Sequence, residues 1–240
     1  MSDMPFAAII LAAGRSSRMG RFKPLLEIDG QTLIQRTIAL FRQNRIDDII
    51  VVTGHRAADL EGVLAQEGVC PAHNKFYDQG MFSSVKAGMR HLPYHCEAIF
   101  VLPVDVAFVQ ATTIGRLMEA FRDHPDCICY PCFAGRRGHP PLIPSRLAEA
   151  IAAHDGTGGL RQALKRWEDR AFAVDVADRY ILLDIDTPGD LTELNQRPYL
   201  LGIIPYIPTP SITAFRALKR KDHGGDWWIL PSKQDEENLL

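Results

Sequence analysis

An apolar run near the start of the chain breaks into a loop of small and basic residues. The run covers residues 6–12, FAAIILA, and the loop continues as AGRSSRMGRFKPLL through residue 26. A short apolar run of this kind is typical of a buried central strand. The glycines allow a tight turn and bring backbone N–H groups close to an anion. Four fixed positive charges are available, at Arg15, Arg18, Arg21 and Lys23.

This loop predicts a binding site for a polyphosphate. A solvated loop between a strand and a helix would explain the arginines, but not the small residues between them. Two common phosphate motifs are absent from the stretch. A P-loop needs Lys-Ser/Thr directly after its second glycine, and the dinucleotide fingerprint needs Gly-x-Gly-x-x-Gly.

The composition limits the class of ligand. The chain has 240 residues, of which 46% are hydrophobic, and a formal net charge of −2. No broad basic surface is therefore available for a nucleic acid, and the local basic loop must serve a small anion. The first five residues lack the basic region of a signal peptide, and no apolar run approaches the ~20 residues that span a bilayer. We expect a cytoplasmic protein that binds neither membrane nor nucleic acid.

Alternating strand and helix patterns predict an α/β fold. We expect a single Rossmann-like three-layer domain over residues 1–198, with a mostly parallel sheet covered on both faces, and an extension of unknown role over residues 199–240. Strands are predicted at 6–12, 47–54, 73–75, 98–103, 128–133, 141–143, 172–174 and 179–183. Helices are predicted at 31–41, 57–66, 82–91, 111–121, near Leu147 and at 160–167. Gly14 and Asp105 should meet at the carboxyl edge of the sheet, where such folds bind ligands.

The first loop resembles the signature Leu-Ala-Ala-Gly-x-x-x-Arg-Met-Gly…Lys-x-Leu of the MobA-like nucleotidyltransferases. The resemblance extends over about residues 5–195 and implies transfer of a nucleoside monophosphate from an NTP to a phosphorylated acceptor. At the position of Ala13, molybdenum cofactor cytidylyltransferases tend to have alanine, whereas guanylyltransferases tend to have glycine. The resemblance is therefore to the cytidylyltransferase branch. The resemblance implies catalytic roles for Arg18, Lys23 and Asp105. It implies nucleotide binding by Leu11, Ala12, Ala13, Gly14 and Arg15.

Nucleotidyl transfer calls for Mg²⁺ held by one or two carboxylates. Asp105 follows the strand at 98–103 and is the first candidate ligand, although it could instead cap a helix or serve a turn. Family members usually read Asp-Met-Pro here, whereas this chain has Val106-Ala107 after the aspartate. This departure leaves the metal role intact and makes the local backbone geometry less predictable.

Asp186 precedes Thr-Pro and resembles the aspartate that completes the metal site in the family. Asp186 or Thr187 could instead be a helix cap, because proline is common in the first turn of a helix. Asp184 would share a face with Asp186 on a continuing strand, and is therefore an alternative ligand.

Asn74 and the segment QGMFSSVKAG at 79–88 come next. Family members carry a similar turn that receives the base and ribose, so Asn74, Ser83 and Ser84 are further candidates for nucleotide binding. A helix that begins near Ser83 would turn its N–H groups towards the nucleotide, and a plain N-cap role for Ser83 is nearly as economical.

Two glycine-containing segments are candidates for holding the acceptor. The stretch FAGRRGHPP at 133–141 resembles the Arg-Gly-His-Pro segment of the cytidylyltransferase branch, and DGTGGLR at 155–161 resembles a later turn that opens a helix. The predicted acceptor-binding residues are Arg137, Gly138, His139, Gly158 and Arg161. We assign His139 to positioning, because a phosphate nucleophile is already ionised near neutral pH. The glycines could also serve tight turns only.

Five cysteines stand at 70, 96, 127, 129 and 132. The 127–132 cluster could hold a soft metal with His124 or His139, whereas strand alternation would place Cys127 and Cys129 together in the core.

The resulting hypothesis is transfer of CMP from CTP to the phosphate of molybdopterin cofactor, with release of pyrophosphate. The partners expected are an NTP, a phosphorylated pterin and a recipient molybdoenzyme. The alternatives are a GTP-dependent or sugar-phosphate nucleotidylyltransferase, and a non-catalytic molybdopterin carrier. Paired metal carboxylates disfavour the carrier, which would not need them.

Overall fold

The computed structural model describes residues 5–17, 19–187 and 189–190. Arg18 and the predicted extension at 199–240 lie outside these residues. The strands are β1 Phe6–Leu11, β2 Glu27–Ile28, β3 Gln31–Thr32, β4 Asp48–Thr53, β5 Pro71–His73, β6 Ala98–Pro103, β7 Ile128–Phe133, β8 Arg136–Arg137, β9 Leu142–Pro144 and β10 Ala171–Asp175. The α-helices are α1 Leu33–Arg42, α2 Ala57–Gln66, α3 Met81–Met89, α4 Ala111–Asp123, α5 Ala148–Ala152 and α6 Gly159–Leu164.

The main sheet runs in the order β10-β7-β9-β6-β1-β4-β5, with β8 paired to β7. β6, β1, β4 and β5 are parallel, as are β10 and β7, whereas β9 is antiparallel to both of its neighbours. The mostly parallel sheet predicted from the alternation of strands and helices is thus confirmed.

β1 shows why this sheet is covered on both faces. All six of its residues are buried, and successive side chains point to opposite sides of a strand. Ala8 and Ile10 pack with apolar residues of α1, α2 and α4, whereas Ala7 and Ile9 pack with those of α3, α5 and α6. The arrangement is the expected three-layer domain.

Three predicted elements differ from the structure. The chain at 31–32 forms β3, so α1 begins only at Leu33, where Thr32 and Gln35 form a capping box. The short strand predicted at 73–75 is β5 at 71–73. The predicted strand at 179–183 is a 3₁₀ turn, Arg179–Leu182. The Asp178 carboxylate caps this turn by accepting a hydrogen bond from Tyr180 N at 3.0 Å.

The carboxyl ends of β1 and β6 lie side by side, with Leu11 opposite Pro103. The backbone N–H of Val104 donates to the carbonyl of Leu11, at 3.1 Å. This pairing brings the loop after β1 and the loop with Asp105 to one edge of the sheet, as the alternation predicts.

Two further expectations concern cysteines and membranes. Cys129 and Cys132 are buried, but Cys127 precedes β7 and is only partly buried, so the two residues predicted to share a core face do not. Within the described ranges, no set of three or more His, Cys, Asp or Glu side chains is arranged to hold a metal ion. The same part of the chain contains no helix with the length and apolar character needed to cross a membrane.

Candidate active site

The centre of the candidate site is a lysine between two carboxylates. Lys23 Nζ donates to Asp105 Oδ2 at 3.0 Å and to Asp186 Oδ1 at 2.6 Å. The Lys23 side chain is 10% exposed, whereas those of Asp105 and Asp186 are 23% and 30% exposed. These partners are far apart in sequence, so the fold itself creates the cluster. Pairing with the two carboxylates keeps the Lys23 ammonium largely buried although it belongs to a loop.

The backbone of the first loop positions Lys23. Ser16 has a positive φ of 54°, and its Oγ accepts a hydrogen bond from Lys23 N at 3.1 Å. Lys23 then begins a short 3₁₀ helix that ends at Leu25. Gly20 has φ +66° and uses the freedom of glycine, whereas the space beside Gly14 is open, with no heavy atom within 4 Å of an added Cβ. An incoming phosphate could approach the backbone at Gly14.

Asp186 is placed by the chain on either side of it. Ile185 N donates to Asp105 O at 3.0 Å, which ties the two aspartate loops together. Thr187 and Asp190, rather than Asp186, make the capping hydrogen bonds. Asp190 N donates to Thr187 Oγ1, and Asp190 Oδ2 accepts from the N–H groups of Asp186 and Thr187. Capping therefore leaves the Asp186 carboxylate facing Lys23.

Burial and neighbouring charges shift the pKa values of Lys23 and Asp184 in this cluster. Burial alone would lower the pKa of Lys23, but Asp105 and Asp186 together raise it, so the ammonium stays charged. Burial, followed by the like charges of Asp105 and Asp186, raises the pKa of Asp184 to about 6. Asp184 lines the same cavity as the other two aspartates but is not on a strand with Asp186, because no strand forms there.

Two cavities meet at this cluster. The smaller, of about 280 Å³, lies against the first loop, and the larger, of about 450 Å³, extends towards α6. Lys23 and Asp105 line both cavities, whereas Asp184 and Asp186 line only the larger. Two substrates held in the two cavities would meet at Lys23.

The smaller cavity contains most of the residues predicted to bind nucleotide. Those that line it are Leu11, Ala12, Ala13, Gly14 and Ser84. Arg15 stands outside the lining, with its guanidinium 5.8 Å from the centre of the Tyr77 ring.

Asn74 and Ser83 do not line either cavity. The buried Asn74 amide donates to Ser83 Oγ and Ser84 Oγ and accepts from Phe76 N. Gly80, with φ 92°, is the N-cap of α3 rather than Ser83, whose hydroxyl lies within hydrogen-bond distance of the carbonyls of Phe76 and Gly80. The structure therefore places both residues in the turn that presents Ser84, and direct nucleotide contact stays a prediction for them.

Some side chains at the nucleotide end of the site were not predicted from the sequence. Ser16, Tyr77 and Met81 line the smaller cavity. Tyr77 packs so closely on Gly54 that a Cβ there would lie 2.7 Å from the Tyr77 Cβ. The glycine after β4 was the available signal, since a glycine inside an apolar pattern indicates close approach of another group.

The larger cavity contains all five residues predicted to bind the acceptor, Arg137, Gly138, His139, Gly158 and Arg161. Gly138 is sterically required, because an added Cβ would lie 2.3 Å from the carbonyl oxygen of Ile181. Arg137 is held by Glu168 in a two-point ion pair of 3.2 and 2.9 Å, with its guanidinium 4.7 Å from the centre of the Tyr130 ring. Burial lowers the pKa of His139 to about 4, so its ring is neutral at pH 7.

The donor set fits a hard divalent cation. Asp105 and Asp186 each place a carboxylate oxygen within 3.0 Å of the same ammonium, so one positive charge already lies beside both. Magnesium is commonly held by one or two carboxylates, with waters and substrate phosphates completing its shell. Two protein carboxylates beside an open cavity are consistent with that pattern.

An α/β sheet with a loop of small and basic residues, a carboxylate pair and two adjoining cavities at its carboxyl edge is the arrangement expected of a nucleotide-dependent transferase. The chain belongs to the MobA-like NTP transferase family, whose model matches residues 8–171. Nucleotidyl transfer is the activity of that family.

Two relatives and one solved structure extend the comparison. The molybdenum cofactor cytidylyltransferase of Escherichia coli K12 is 31% identical over 191 residues, which cover 79% of this chain and 95% of that protein. A bifunctional IPC transferase and DIPP synthase from Rubrobacter xylanophilus is 39% identical, over 77% of this chain but only 50% of its own length. A nucleotidyl transferase structure from Methanothermobacter is 25% identical, with a TM-score of 0.69, and the match covers 82% of this chain and 99% of that one.

Proposed function

We propose that this protein transfers CMP from CTP to the terminal phosphate of molybdopterin cofactor and releases pyrophosphate. The observation that carries the proposal is the position of Lys23, Asp105 and Asp186 where the two cavities meet. The similarity to the E. coli cytidylyltransferase over most of both chains supports this choice of nucleotide and acceptor.

The smaller cavity is the proposed NTP site. Open space at Gly14 allows phosphate oxygens to approach the backbone, and Lys23 is the cation at the same point. Once the triphosphate is present, the Lys23 ammonium has a second set of anionic partners and would stabilise charge that develops on the departing pyrophosphate.

The larger cavity is the proposed acceptor site. An oxygen of the acceptor phosphate attacks the α-phosphorus of CTP and forms the new P–O bond. The bond between the α-phosphorus and the bridging oxygen then breaks, and its electron pair leaves with pyrophosphate. The attacking oxygen is already ionised, so no general base is required, and the neutral His139 ring is suited to orientation rather than to proton transfer.

Asp105 and Asp186 would hold the divalent cation. When bound, Mg²⁺ would supply charge neutralisation and alignment of the triphosphate. The role of the protein is to fix the two carboxylates at one edge of the sheet, and the Ile185 to Asp105 hydrogen bond does so directly.

A second candidate function is cytidylyl transfer to a different phosphorylated acceptor. The 39% identity to the bifunctional IPC transferase and DIPP synthase supports this possibility, because that relative, half of whose length is matched, is not named for molybdenum cofactor. A carrier without catalysis is disfavoured, since carriage gives no reason for a charge-compensated pair of aspartates between two cavities.

Incubation of the purified protein with each of the four NTPs, Mg²⁺ and molybdopterin cofactor tests the proposal. We expect pyrophosphate release that requires the acceptor and is fastest with CTP. Release with CTP and a sugar or polyol phosphate, but not with molybdopterin, would support the second candidate. No release with any combination would refute both.

A further inference from the structure

The wall of the larger cavity includes an irregular segment, residues 176–187, that follows β10. Ile181, Leu182, Asp184 and Asp186 of this segment line the cavity. Apart from one 3₁₀ turn, the segment has no regular structure, so a few hydrogen bonds determine its path. The bonds to neighbouring backbone are Val176 N to Cys132 O, His139 N to Ile181 O and Ile185 N to Asp105 O, at 2.9, 2.8 and 3.0 Å.

Asp178 adds a side-chain anchor at the start of this segment. Its side chain is buried and lines neither cavity. Asp178 Oδ2 accepts from Gln110 N and Thr113 Oγ1, both at 2.8 Å, and Oδ1 accepts from Tyr180 N at 3.0 Å. Gln110 is the N-cap of α4, so Asp178 ties the start of that helix to a distant part of the chain through the N–H of its N-cap and the hydroxyl of Thr113.

This anchor joins the two loops that carry the carboxylates of the site. One loop runs from Asp105 to the start of α4, and the other runs from Asp178 to Asp186. The ring of Tyr180 packs on that of Phe108 with centroids 6.1 Å apart, which adds an apolar contact between the loops. The loops are thus joined at their base by Asp178 and at their tips by the Ile185 to Asp105 bond.

We propose that Asp178 is a positioning residue that sets the spacing between Asp105 and Asp186. The proposal rests on the proposed function, in which those two carboxylates act together on one divalent cation. Ligand-orienting residues outside the metal shell typically contribute 10–100-fold to metal affinity or activity. A residue that only stabilised the fold would change the fraction of folded protein and leave the affinity of the folded protein unchanged.

The test uses the full chain with Asp178→Asn, which keeps the shape of the side chain but replaces an accepting oxygen with an amide. Binding of Mn²⁺ without nucleotide is followed by the electron paramagnetic resonance of free Mn²⁺. The kcat and KM for CTP are measured alongside. Leu64→Ala is the matched control, because Leu64 is 1% exposed on α2 and lines neither cavity, so its loss destabilises the core alone.

At a temperature where both variants are folded, we expect Asp178→Asn to weaken Mn²⁺ binding and lower kcat by about tenfold or more. Leu64→Ala should match the wild type in both. Thr113→Val removes one donor to Asp178 and should give a smaller change of the same kind, which keeps the test available if Asp178→Asn does not fold.

The decisive variant is Asp178→Asn or Thr113→Val, whichever folds. If its Mn²⁺ affinity and kcat equal those of the Leu64→Ala control, the inference is overturned and the proposed function stands. A wild type that neither binds Mn²⁺ nor releases pyrophosphate would overturn both.

Discussion

Lys23 Nζ lies 2.6 Å from Asp186 Oδ1, and the same nitrogen reaches Asp105. One ammonium therefore holds together two carboxylates from distant parts of the sequence. Lys23 has two roles in this account, because it compensates the carboxylates before substrates bind and acts on phosphate oxygens afterwards.

Replacement of Lys23 by Met tests both roles. We expect kcat/KM to fall on the order of 10² or more, as for other single electrostatic donors. Without metal, we also expect the free energy of unfolding to fall by about 1–3 kcal/mol, because two neighbouring carboxylates lose their counter-charge. The loss stays moderate because both carboxylates are partly exposed to solvent. Added Mn²⁺ should recover more stability in this variant than in the wild type, as measured by thermal unfolding.

Lys165→Met is the control for that experiment, because Lys165 is exposed and lines neither cavity. Equal kcat/KM in Lys23→Met and Lys165→Met would remove Lys23 from the site.

Ala13 should favour CTP over GTP. Its methyl group lies in the wall of the smaller cavity, and an added Cβ on Gly54 would be 2.9 Å from it, so the wall has no room to retreat. Ala13→Gly removes the methyl group and should shift the ratio of kcat/KM values towards GTP. The ratio is insensitive to the amount of active protein, and an unchanged ratio would show that this residue does not determine base choice.

Glu168 should affect the acceptor more than the nucleotide. Glu168→Gln removes the charge that holds Arg137 in the larger cavity. We expect the KM for the acceptor to rise several-fold, roughly 3- to 10-fold, with the KM for CTP unchanged. Glu149→Gln, at an exposed position on α5, provides the matched control. Parallel increases in both KM values would contradict an acceptor-specific role.

His139 should make the protein less stable in acid. The unfolded chain binds a proton near the ordinary pKa of 6.5, whereas burial delays protonation of the folded protein to a pKa of about 4. Between these values the unfolded state carries more protons, so the contribution of His139 is fully present above pH 6.5 and is lost as the pH falls towards 4. His139→Gln should remove this part of the pH dependence in denaturant unfolding. Identical slopes for variant and wild type would contradict the shift.

The sequence predicts the parallel core of the sheet well, because β1, β4 and β6 are buried apolar runs of ordinary strand length. It fails at 179–183, where the pattern resembles a strand. There the Asp178 carboxylate accepts from Tyr180 N and stabilises a turn, an interaction that local patterning does not encode. β9 is short, and the sequence gives no sign that it runs antiparallel to its neighbours.

The same distinction applies to the site. The sequence of the first loop and the predicted ends of β1 and β6 suffice to predict that Gly14 and Asp105 lie at one edge of the sheet. The burial of Lys23 follows from its pairing with Asp186, and the position of Asn74 follows from its bonds to two serines. Both depend on side-chain partners that only the folded chain identifies.

Pyrophosphate release by Asp105→Asn and Asp186→Asn tests the central claim most directly. With CTP, Mg²⁺ and molybdopterin cofactor, the wild type should release pyrophosphate only when metal is present. Each variant should fall by at least about 10²-fold while it remains folded by circular dichroism and still binds molybdopterin. Wild-type protein with no metal-dependent release, or either variant with activity near that of the wild type, would contradict the account.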